Sequence, residues 1–169
     1  MAYVPPHRRR NPVKKAREIP SSQFASIDYI MCINLDERMD KWMGFRRRLP
    51  RELGDRVERF SAVNGEKALK NGSYEGDVQL KWDASINSRY SSRVVPGIKE
   101  MSAGEVGCAQ SHVKLWRELC ERSLGETERT MLILEDDVVV TSSSRQHPQK
   151  FQKGFLQGLE QLPEDWGIF

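Results

Sequence analysis

The stretch TMLILEDDVVV, Thr130 to Val140, constrains the chain more than any other. A short apolar run, Met131 to Leu134, leads into three consecutive acids, Glu135, Asp136 and Asp137, and then into Val138 to Val140. Such a run predicts a strand buried on both faces, as in a parallel sheet covered by helices. Adjacent carboxylates at its end repel one another. A like-charged pair about 4 Å apart costs about 4 kcal/mol at an effective dielectric near 20. A divalent cation would offset that repulsion. Side chains alternate along a strand, so Glu135 and Asp137 share one side and Asp136 points away. Carboxylates spaced i and i+2 can hold one hard metal ion through oxygen. The alternative is an acidic strand-to-loop transition at the surface, with no ligand.

With 169 residues, the chain is long enough for one domain with a proper core. Its net charge of +3 is unevenly spread: residues 1–20 hold six basic residues and one acid, so the rest is mildly acidic. Residues 1–22 carry four of the eight prolines with the runs His7-Arg8-Arg9-Arg10 and Lys14-Lys15, and are expected to form a disordered basic tail. No aromatic residue follows Tyr3 there to stack on bases, which argues for a solvated tail over a nucleic-acid-binding arm. The three cysteines, Cys32, Cys108 and Cys120, include no CxxC pair and suggest reduced thiols. Neither a secretory leader nor a membrane-spanning run is visible, so a soluble, cytoplasmic chain is expected.

In order, Ile27 to Leu35 (IDYIMCINL) is the first strand. A helix follows, with Asp36 as its N-cap, Met39, Trp42 and Met43 on its apolar face, and Arg46 to Arg48 at its negative end before Pro50. Val57 to Val63 is the second strand, closed by Asn64-Gly65, which completes a βαβ unit. Lys67 to Lys99 is rich in glycine, asparagine and serine and reads as a long loop, either a lid over a site or a segment holding a short element. Ser102-Ala103-Gly104-Glu105 has the form of a capping box. Behind it Cys108, His112, Leu115, Trp116 and Leu119 recur at helical spacing and are expected to pack on the sheet. Cys108 and His112 could begin a zinc site, but no second Cys/His pair completes it, so a core histidine is expected. Phe151, Phe155, Leu159 and Leu162 mark a last helix before Pro163, and Trp166 to Phe169 reads as the opening of another strand.

Together, YIMCINLDERMDKW, RFSAVNG, MSAGEVGCAQSHVKLWREL, LILEDDVVV and LPEDWGIF resemble glycosyltransferase family 25 over about Ser26 to Phe169. The resemblance implies an α/β, GT-A-like (Rossmann-like) domain over residues 23–169, with a mostly parallel sheet flanked by helices. It implies transfer of a hexose, galactose or glucose, from a nucleotide-sugar donor. Glu135, Asp136 and Asp137 would then be the acidic metal and diphosphate motif, with Mn²⁺ or Mg²⁺ on Glu135 and Asp137. Asn34, Arg38 and Asn64 end the first two strands, where open α/β sheets bind ligands, and are expected to contact the nucleotide. Ser111 and His112 carry over from GEVGCAQSH, with core packing as their alternative. Asn64 stands where the family usually has aspartate. Family members also continue beyond Trp166, which makes this the donor-binding half. The general base is unassigned; within this chain Glu75, Asp77 and Asp83 are the first places to look. A different class of reading is a catalytically incompetent half-domain that binds a nucleotide sugar or a partner and self-associates.

Overall fold

The computed structural model describes residues 27–73, 76, 78–84, 97–123, 128–139, 148–163 and 167. The basic tail, Tyr74, Glu75, Asp77, Tyr90, the loop after Val139 and the Trp166 strand opening lie outside the described residues, Gly167 excepted. In order come β1 (Tyr29–Asn34), a 3₁₀ turn (Asp36–Arg38), α1 (Met39–Arg48), α2 (Arg51–Gly54), β2 (Glu58–Ser61), α3 (Gly65–Asn71), β3 (Lys81–Asp83), β4 (Ile98–Glu100), α4 (Ala103–Arg122), β5 (Met131–Glu135) and α5 (Pro148–Glu160). No helix among the described residues is long and apolar enough to cross a membrane.

The main sheet has the order β2-β1-β5, parallel throughout, so all three strands finish at one edge. Its residues divide with period two. Ile30 and Cys32 face one cluster with Ile27, Trp42, Phe45, Leu53 and Val57, against which Leu132, Leu134, Phe155 and Leu159 pack. Met31 and Ile33 face the other way, toward Leu115, Phe60, Met131 and Ile133. Helices α1, α2 and α5 therefore cover one face and α4 the other. This is the expected α/β architecture.

Several expectations are corrected. β5 is half-buried because β1 is its one strand neighbour in the described sheet, and it ends at Glu135. The Val138 N–H donates to the Glu135 carbonyl at 3.1 Å, closing a turn directly after the strand. In α1 the buried residues are Trp42 and Phe45, whereas Met39 and Met43 are 45% and 48% exposed. Lys67 to Asn71 belong to α3, which ends on Gly72 at φ 62°, a left-handed conformation that favours glycine. Further along, Lys81–Asp83 pairs antiparallel with Ile98–Glu100. The Lys67–Lys99 segment is thus partly regular. The capping box is present as expected: Ser102 Oγ accepts from the Glu105 N–H, and the Glu105 carboxylate accepts from the Ser102 N–H at 2.6 Å.

Candidate functional site

Asn34, the last residue of β1, is buried to 1% exposure and joins the carboxyl ends of all three strands. Its Nδ2 donates to Asp136 Oδ2 at 2.7 Å and to the Arg38 carbonyl at 2.9 Å. Its Oδ1 accepts from Arg59 of β2 at 3.2 Å. An amide is suited to this position because it offers donors and an acceptor in one plane.

Arg59 also reaches the Asp36 carboxylate at 2.7 Å, and Ser61 Oγ donates to the other Asp36 oxygen at 2.8 Å. These bonds, Arg59's first, hold the Asp36 carboxyl below its ordinary range. Asp36 therefore does not cap α1. A charge-assisted pair with a neighbouring strand outweighs a local N-cap bond, and the helix begins only at Met39. Arg38 is exposed and clasps Asp40 through two 3.0 Å bonds.

Asn64 caps α3 by accepting the Lys67 N–H at 3.1 Å, and its Nδ2 points to Glu37 at 3.4 Å. Asparagine caps helices about as well as aspartate, so this helix start is well satisfied. Ser111 is fully buried; its hydroxyl accepts the Val63 N–H at 2.9 Å and donates to the Gly107 carbonyl at 2.6 Å. It ties the segment leading to Asn64 onto α4.

The three acids separate. Asp136 turns to Asn34, is approached by Lys41 at 3.8 Å, and has its carbonyl bonded by Arg48 at 2.9 Å. Asp137 is exposed. Glu135 faces α4: its Oε1 lies 3.6 Å from Cys108 Sγ, which lies 3.7 Å from His112 Nδ1. Ligand atoms of Cys108, His112 and Glu135 all fall within 4.8 Å of one another. Desolvation first, then the charges of Glu135 and Asp137, push the Cys108 thiol up to about 11. The expectation that Cys108 and His112 face the core is corrected here. The buried face of α4 is Val106, Gly107, Gln110, Ser111 and Leu115, while Cys108 is exposed and His112 half-buried.

Sequence reasoning passed over Arg48, Lys41 and Arg59 as partners of this edge, and Glu135 as a neighbour of the Cys108–His112 pair. The signal in the chain was small: charged residues at the ends of regular elements.

The family model for glycosyltransferase family 25 (LPS biosynthesis protein) matches residues 28–166. The chain belongs to glycosyltransferase family 25. Human procollagen galactosyltransferase 2 is 31% identical over 83% of this chain and 20% of that protein. A glycosyltransferase 25 family member of Drosophila pseudoobscura pseudoobscura is 29% identical over 70% of this chain and 17% of its own length. This family 25 chain thus spans about a fifth of the curated relatives it matches. No solved structure gives a significant match.

Proposed function

We propose that this family 25 chain forms the donor-binding part of a transferase that moves a hexose, galactose or glucose, from a nucleotide sugar to an acceptor hydroxyl with inversion. The supporting observation is the convergence of Asn34, Asn64 and Glu135–Asp137 at the edge where three parallel strands end. Open α/β sheets bind ligands beyond the carboxyl ends of their strands. Galactose is favoured by the name of the human relative.

In this reading Asn34, Arg38, Asn64 and His112 lie toward the nucleotide sugar, Asp136 orients Asn34, and Ser111 steadies the approach to Asn64. Glu135 and Asp137 are exposed carboxylates, whereas Asp136 is committed to Asn34 and Lys41. The exposed Asp137 and Glu135, whose Oε1 also lies 3.6 Å from Cys108 Sγ, offer carboxylate oxygens that suit a hard divalent cation such as Mn²⁺ or Mg²⁺. Bound there, it would supply positive charge against the departing diphosphate. The acceptor oxygen bonds to the anomeric carbon, the bond to the diphosphate oxygen breaks, and the hydroxyl proton passes to a carboxylate base. Among the candidates for that base, Asp83 lies in β3.

Calorimetric titration with a uridine diphosphate hexose and Mn²⁺ tests the proposal. Binding to the wild type that weakens at least tenfold, about 1.4 kcal/mol, in Asp137→Asn is expected. Equal binding by both would remove the metal role.

A further inference from the structure

We propose that Cys108, His112 and Glu135 form a three-ligand site for a borderline transition-metal ion of the zinc class. The site shares Glu135 and His112 with the donor site proposed above but does not rest on that reading, since it needs neither Asp137 nor a nucleotide.

Helix α4 places Cys108 and His112 one turn apart on an accessible face. The end of β5 brings Glu135 against them from a different element. Metal bonds of about 2.3 Å to sulfur and about 2.0–2.1 Å to nitrogen or oxygen, meeting at a tetrahedral angle, set S···N and S···O pairs about 3.6 Å apart. The observed separations from Cys108 Sγ are 3.7 Å to His112 Nδ1 and 3.6 Å to Glu135 Oε1. These are distances at which a thiol can hydrogen-bond, and they are equally close to what two ligands of one ion require. The third pair lies within 4.8 Å, so a modest side-chain rotation closes the set.

Thiolate, imidazole and carboxylate together select a zinc-like ion over Mg²⁺ or Ca²⁺, which take oxygen ligands. Binding releases the thiol proton to solvent. His112 Nδ1 lies 3.0 Å from the Cys108 carbonyl. With the ion bound, its lone pair turns to the metal and the imidazole proton resides on Nε2. Three protein ligands leave a fourth position open on an exposed face, the pattern of a catalytic centre more than of a structural one.

The full chain, stripped with chelator, is titrated with Zn²⁺ and separately with Co²⁺. One equivalent of Co²⁺ is expected to give a thiolate charge-transfer band and the visible bands of tetrahedral cobalt. Cys108→Ser should abolish the former, and Cys108→Ser or His112→Ala should weaken Zn²⁺ at least about tenfold. Cys120→Ser should match the wild type. Zn²⁺ binding kept in Cys108→Ser but lost in Asp137→Asn would assign the ion to the acidic pair and overturn the proposal. So would cobalt spectra without a thiolate band. A measurement on the wild type alone covers variants that fail to fold: Zn²⁺, but not Mg²⁺, should slow alkylation of Cys108 at least about tenfold while leaving Cys120 unchanged. Equal alkylation with and without Zn²⁺ would also overturn it. Failure of nucleotide-sugar binding bears only on the donor-site proposal.

Discussion

Gly65 and Gly107 lie back to back where the start of α3 meets α4. A Cβ on Gly107 would come 3.0 Å from the Gly65 nitrogen and 2.6 Å from the Val63 carbonyl oxygen; one on Gly65 would come 1.7 Å from the Ala103 oxygen. Backbone atoms cannot swing away as a flexible side chain can. Gly107→Ala should therefore cost at least about 1–3 kcal/mol, and Gly65→Ala more. Gly104, whose nearest neighbour would be Ser102 Oγ at 4.0 Å, is the control. Gly104→Ala should be neutral or stabilise by up to about 1 kcal/mol, because alanine restricts the unfolded chain. Urea denaturation of the three variants checks this, and a Gly107→Ala as harmless as Gly104→Ala would rule out the close contact.

Asn34 donates into Asp136 at 2.7 Å from a fully buried position. Asn34→Asp would set two carboxylates against each other. Burial and the Asp136 charge act to raise the folded pKa of such a group above its ordinary value of about 3.9, against the opposing pull of Arg59 on the same side chain. The variant should thus be least impaired below that value and lose stability as pH rises through the raised pKa. At neutral pH the loss should exceed the about 1–3 kcal/mol typical of one unsatisfied buried group. Chemical denaturation from acid to neutral pH follows it, and a flat difference from wild type would contradict the Asn34–Asp136 pairing.

Asp36 shows the opposite sign. Arg59, then Ser61, depress its folded pKa, so its contribution is present above the unfolded value and is lost as pH falls through the folded one. Arg59→Met should narrow the pH dependence of stability in that acidic window. Part of its effect should persist at all pH values, because Arg59 also bonds the Asn34 carbonyl and side chain. If wild type and variant have superimposable pH profiles, the Arg59–Asp36 bond has no role in solution.

Gln110 is fully buried, and neither its side-chain nitrogen nor its oxygen has a hydrogen-bond partner among the described residues. Unpaired buried amide groups cost more than a hydrocarbon of similar shape. Gln110→Met should raise stability by about 1 kcal/mol, read as a higher denaturation midpoint at unchanged slope. A loss of similar size would show that Gln110 has a polar partner in solution.

The sequence alone determined features whose cause is local. The alternation of Ile30, Met31, Cys32 and Ile33 between two clusters follows from the strand period of two. The Ser102–Glu105 box depends on residues three apart, so its bonds could be read before the fold was known. Phe155 and Leu159, one helical turn apart, were likewise legible as a stripe that packs half-buried on the core. Only the tertiary structure decided what depends on strand register and helix approach. Met39 and Met43 share the helical spacing of Trp42, yet the sheet meets α1 on the Trp42–Phe45 side. Asp36 looked like a cap until β2 brought Arg59 beside it. The Cys108–His112 pair gained Glu135 as a neighbour only when β5 brought it, 27 residues beyond Cys108, against α4. A charged or polar side chain takes its strongest accessible partner, and which partner is accessible is settled by packing between distant segments, not by spacing along the chain.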